Sequence, residues 1–361
     1  QVMPDSGERA YAYTKACGII GKSFVGRRIS ALAGVRALNE LDRLIFPETG
    51  KELPGRELLV DLESRIAGRA VRHILEIINS FSRAPKLLIR QLRSYEFSDL
   101  KTCLNYLSGG TGSLPPFADI GRYRTVRFEA FPDLAAMLAD TEFEFILSKD
   151  IKAIQGGNFD VMALETELDL RYYLGLKDAL YQLSAEDRHF AERILAEEIS
   201  LRNCVWALRL RTYYGKNAAE AVKHLMNLRM RAGGEIPGDI HEHRKNAGLK
   251  EISLSAEAEE SLDLPLDSRA AWRGWRWEKF LNPEKPGGHW NADPRFFQNA
   301  AAEYLYQLSL HCFHRMPFAI STSFCYIKLK QFEEDLLTSV AEGLGLGMAS
   351  RDVFELLEVA L

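Results

Sequence analysis

Long apolar runs are missing from this chain of 361 residues. No stretch reaches the roughly 18 uninterrupted apolar residues that a membrane-crossing helix needs, so a direct span is not expected. The opening QVMPDSGERAYAY also lacks the apolar centre of a signal peptide, and the chain is expected to remain in the cytoplasm. Its start at Gln1 is expected to leave out a few residues. Cysteine is scarce and odd in number: Cys17, Cys103, Cys204, Cys312 and Cys325 stand mostly among apolar neighbours. That usage predicts reduced, buried thiols and argues against a disulfide framework. Positive charge is not in excess, since the net charge is −4 and Lys and Arg are scattered. Nucleic acid is therefore not the expected partner, because phosphate binding needs a basic face. Proline is absent between Pro132 and Pro237, which long, unkinked helices require.

What is present suits a large helical core. An apolar fraction of 47% beside 27% charged residues is ordinary for a globular protein, and the length allows two or three domains. In EEISLRNCVWALRLRTYYG (197–215), with Ile194 just before it, Ile194, Leu201, Val205 and Leu208 share one face of a 3.6-residue helix. Gly215 is placed to end that helix in the left-handed conformation. Two segments with the same pattern flank it at about hundred-residue spacing. In SYEFSDLKTCLNYLSGG (94–110), Leu100, Cys103, Leu104 and Leu107 form the stripe and Gly109 the stop. In CYIKLKQFEEDLLTSVAEG (325–343) the stripe is Leu329, Phe332, Leu336 and Val340. Aligning Phe97, Leu201 and Phe332 puts Asp99, Asn203 and Glu334 at one position, and three related helical units follow.

The elements before each segment recur as well. A short leucine-rich helix precedes a long amphipathic one at 35–80 and again at 131–183. The expected units are 11–115, 116–217 and 218–361, the last carrying an irregular insertion at about 232–294 that is rich in Gly, Pro and charge. The final segment MASRDVFELLEVAL reads as a short helix capped by Ser350.

Several stretches imitate chemical sites. ACGIIGKS (16–23) satisfies a relaxed phosphate-loop pattern, but the polar GERAYAYTK precedes it where a buried strand belongs. A nucleotide-binding enzyme built on this loop is the rival from another class. His241 and His243, and separately His311 and His314 beside Cys312, are metal-capable but match no HExxH or paired CxxC arrangement. The glycines at 343, 345 and 347 read as a turn between helices rather than a dinucleotide loop. Trp272, Trp275 and Trp277, interleaved with Arg273 and Arg276, read as anchors of the insertion in preference to a base-stacking or lipid surface. No Ser/His/Asp or Cys/His triad stands at recognisable spacing, so no catalytic residue, cofactor or metal is assigned.

The segments ILAEEISLRNCVWALRLRTYYG (194–215), LETELDLRYYLGL (164–176), LLIRQLRSYEFSDLKTCL (87–104) and RMPFAISTSFCYIKLKQFEEDLL (315–337) resemble the C-type subunits of the V/A-type ATPases, whose eukaryotic counterparts are the d-type subunits. The opening YAYTKA (11–16) is similar to that family's start, and 232–294 is poorly matched. The resemblance implies an all-α, funnel-shaped body of three similar helical units with pseudo-threefold symmetry. It implies a non-catalytic rotor adapter, peripheral to the membrane, seated on the proteolipid ring and receiving the central-stalk proteins of the soluble ATPase sector. Asp99, Asn203 and Glu334 are then candidate positions for helix capping or for contact with those partners. A generic helical-repeat scaffold is the remaining alternative. Asp335, where an apolar residue is expected, departs from the pattern.

Overall fold

A computed structural model describes residues 6–109, 114, 116–149, 151–155, 160–231, 251–284 and 287–357. Of the described residues 69% are helical and 2% lie in strands, in keeping with the helical stripes and the proline-free middle of the sequence. In chain order the helices are α1 (Ser6–Ile20), α2 (Ile29–Ala33), α3 (Leu38–Ile45), α4 (Gly55–Ile78), α5 (Lys86–Leu92), α6 (Ser94–Leu107), α7 (Leu134–Leu138), α8 (Ile151–Gln155), α9 (Val161–Tyr181), α10 (Ala185–Thr212) and α11 (Ala218–Ala221). Then come β1 (Arg229–Arg231), β2 (Glu251–Ser253), α12 (Ala256–Leu262), α13 (Pro294–Phe313), α14 (Ile320–Gly345) and α15 (Ser350–Leu357).

The chain forms two compact units, one of residues 1–168 with 326–361 and the other of 169–325. In the first, α4 buries Leu58, Leu62, Ile66, Ala70, Val71, Ile74, Ile77 and Ile78 along one stripe. Each fully buried Leu or Ile contributes about 2 kcal/mol relative to exposure. Segments far apart in the sequence share one core here: Phe24, Ile29, Leu32, Leu41 and Ile45 pack with Leu336, Leu337, Val340, Val353 and Phe354.

In the second unit, α10 is an unbroken helix of 28 residues, close to 42 Å at about 1.5 Å per residue. Ser184 caps its start by accepting a hydrogen bond from the Asp187 N–H, and Gly215, at φ 60°, follows its end. Ile194, Leu201 and Leu208 are buried and Val205 is half-buried, so the sequence stripe is the core-facing one. α12 and α13 pack along α10. Asp293 caps α13 by accepting from the Arg295 N–H, with Pro294 in its first turn.

Three local expectations change. The stretch read as an irregular insertion is partly regular: β2 pairs antiparallel with β1, Met230 opposite Ile252, and α12 follows. Residues 232–250 of that stretch lie outside the described residues. The third repeat segment begins earlier and ends later than 325–343, because α14 runs to Gly345 and the left-handed residue is Gly347, at φ 80°. Ser350 is no cap. It opens α15, and its hydroxyl donates to the Val35 carbonyl at 2.6 Å, while Ala349 N–H approaches the Asp352 carboxylate at 3.4 Å.

Candidate assembly positions on the long helices

Asp99, Asn203 and Glu334 lie on α6, α10 and α14, and all three are engaged within the chain. Asp99 accepts the Ala118 N–H at 2.9 Å. Burial pushes its carboxyl up to about 7, against the opposing pull of that N–H and of Arg124. Asn203, fully buried, accepts from the Met226 N–H at 2.8 Å and donates to the carbonyls of Met226 and Leu254 at 3.0 and 2.9 Å. Its amide thus satisfies three backbone groups that no helix or strand ladder reaches. Glu334 accepts from the Tyr95 hydroxyl of α6. Burial raises its carboxyl to about 8, with Asp335 adding to the rise and Tyr95 and Lys330 opposing it.

Further buried polar groups lie beside these positions, and the sequence reading missed them. Glu96, one helical turn before Asp99, is 1% exposed. It accepts from the backbone N–H groups of Thr125 and Val126 at 2.5 and 2.7 Å, and Arg93 balances its charge. Glu333, one residue before Glu334, takes the N–H of Phe24 at 2.8 Å. The signal available in the sequence was a charged residue interrupting an apolar stripe, which a periodicity count sets aside as a solvated face. Phe332 is half-buried and Asp335 exposed, while Leu336, Leu337 and Val340 are buried, so α14's buried face is displaced from that of α6 and α10.

The imitators resolve locally. ACGIIGKS occupies the end of α1 and the turn after it, with helix where a phosphate loop has a strand. The Ser23 hydroxyl donates to Glu333 at 3.1 Å. His311 accepts from Arg315 at 3.2 Å, and His314 rests edge-on to Phe313. His241 and His243 lie outside the described residues. Among the described residues no group of three or more His, Cys, Asp or Glu side chains is arranged to hold a metal ion, and no helix is long and apolar enough to cross a membrane. The cysteines are free; Cys17 is half-buried and the others buried, and burial lifts Cys103 to about 12 and Cys312 to about 11.

Trp272, Trp275 and Trp277 are buried anchors. Their indole N–H groups donate to the Pro265 carbonyl, the Glu257 carbonyl and the Ser200 hydroxyl. Arg276 clamps Glu197 of α10 with two bonds of 2.7 and 2.8 Å and reaches Glu257 of α12 at 2.7 Å. The indole rings supply apolar area and the guanidinium fixes where they land.

Fold and side chains together define a helical body in which buried polar groups bind the chain's own backbone. A family model described as ATP synthase (C/AC39) subunit matches residues 51–353. The chain belongs to this family, which comprises the C-type and d-type subunits of the V/A-type ATPases. The match encloses the resembling segments at 87–104, 164–176, 194–215 and 315–337, whereas YAYTKA lies before it. The chain is also similar to an uncharacterized protein of Treponema pallidum (strain Nichols). The two are 27% identical over 346 residues, covering 94% of this chain and 93% of that protein.

Proposed function

We propose that the chain is the non-catalytic rotor adapter of a V/A-type ATPase, coupling the central stalk of the soluble sector to the membrane proteolipid ring. The observation that carries this reading is the family match over 51–353, and a nearly all-helical body suits it. A torque-bearing part needs stiffness, and long helices with buried, satisfied polar ties provide it. In this reading the body consists of three helical units, 11–115, 116–217 and 218–361, arranged with pseudo-threefold symmetry as a funnel around a socket for the stalk. The adapter is cytoplasmic and held at the membrane by its partners. In this reading Asp99, Asn203 and Glu334 are positions for helix capping or for contact with the stalk and ring, beside the bonds they make within the chain. An obligate assembly of this kind buries on the order of 2,000 Å² or more.

The test is recovery of the tagged chain from native membranes in mild detergent. Stalk and proteolipid proteins should come with it at fixed stoichiometry. Recovery of the chain alone, or with unrelated proteins only, would overturn the adapter reading and favour a generic scaffold.

A further inference from the structure

Residues 6–24 meet α14 through a cluster of buried charge. Lys330 and Glu333, three apart on one face of α14, are each 2% exposed and form an ion pair. Glu333 accepts the Phe24 N–H at 2.8 Å and the Ser23 hydroxyl at 3.1 Å, and the Lys330 ammonium reaches the Ser23 oxygen at 3.4 Å. From α4, the Arg69 guanidinium stands 3.8 Å from the same carboxylate. Arg69 Nη1 and His73 Nδ1, also on α4, are buried without hydrogen-bond partners. One carboxylate therefore balances two cations. Replacing a buried pair by apolar groups is often neutral, but removing one partner leaves an uncompensated charge and is costly. Such a joint holds or fails as a unit.

The segment behind this joint has little apolar burial of its own. Of the 15 residues of α1 the buried ones are Ala12 and Ala16, and Tyr11 is 58% exposed. Polar ties add to the hold: Ser82 N–H donates to Glu8 at 3.0 Å, and Lys15 pairs with Glu76 at 3.3 Å. Segments with few buried apolar contacts open at the low end of a protein's stability range.

The other long helices show what this joint replaces. On α6, Glu96 and Asp99, also three apart, hold the N–H groups of Thr125, Val126 and Ala118; on α10, Asn203 holds that of Met226. Each of these held segments comes later in the chain than its helix. For α14 the held residue, Phe24, lies 309 positions earlier. The partner of this carboxylate thus precedes its helix instead of following it.

We propose that Lys330, Glu333 and Ser23 form a clasp that ties the turn after α1 to α14, and that α1 is a strap which opens as one unit when the clasp is broken. The device stands whether or not the chain is a rotor adapter.

Hydrogen exchange read by mass spectrometry on the full chain tests it. In Glu333→Gln, which leaves Lys330 and Arg69 without their counter-charge, amides of α1 should exchange at least ~10-fold faster while those of α10 and α13 keep their rates. The paired variant K330M/E333Q, which removes one of the two cations and leaves Arg69 unbalanced, should return α1 part of the way to the parent rate. Unchanged exchange across α1 in Glu333→Gln, or equal acceleration in α10, overturns the clasp. Should Glu333→Gln fail to fold, the unmodified chain decides through its exchange at low denaturant. A strap exchanges through a small opening with weak denaturant dependence; exchange of α1 through the same global opening as α10 would refute it.

Discussion

Asp99 and Asn203 place polar side chains where an apolar one would pack, and each serves backbone that lacks a ladder partner. Their chemistries predict different experiments. Asp99 is held near 7 by burial, against an ordinary value of 3.8. Between those pH values the folded chain keeps a proton that the unfolded chain has lost, so this group's stabilisation is complete below about pH 4 and lost as pH rises through 7. Denaturant midpoints measured from pH 4.5 to 8 should fall more steeply in the parent than in Asp99→Asn, which has no proton to lose there. Parallel slopes would show the carboxyl to be ionised throughout. Asn203→Ala should instead cost on the order of 3 kcal/mol at every pH, because it strands the Met226 N–H and the Leu254 carbonyl in the interior, while the Met226 carbonyl keeps the Leu228 N–H. Chemical denaturation with an unchanged slope checks that figure.

The helices themselves follow from periodicity, capping residues and the missing prolines, and the long segments at 94–107 and 185–212 stand where that pattern puts them. The pattern fails at α14. Its sequence offers three glycines near the end, and only close packing says what each does. A Cβ on Gly343 would lie 2.2 Å from a Val353 methyl and one on Gly345 2.9 Å from Leu59, so these two let α15 and α4 approach, and Gly347 makes the turn. Gly343→Ala should therefore destabilise by about 1–3 kcal/mol. Val353→Ala in the same chain should recover part of the loss, and a double-mutant cycle by thermal or denaturant melting measures the coupling. Additive effects would mean that α15 shifts freely. The tryptophans were legible as anchors because three indoles so close together have no ordinary solvent-facing use; their individual acceptors were not, since those are carbonyls contributed by distant turns.

At the scale of the whole molecule, helical class and family membership come from local and repeated features, which a sequence carries in full. The absence of membrane-length apolar runs, the free thiols and the order of the long helices belong with them, because each depends on spacing along a single segment. The strand pair β1 and β2, the pocket of indoles and the meeting of Phe24 with Glu333 across 309 positions belong to the tertiary structure alone. Their partners are chosen by burial and by the need of isolated backbone groups for hydrogen bonds, and neither condition exists until distant segments have packed.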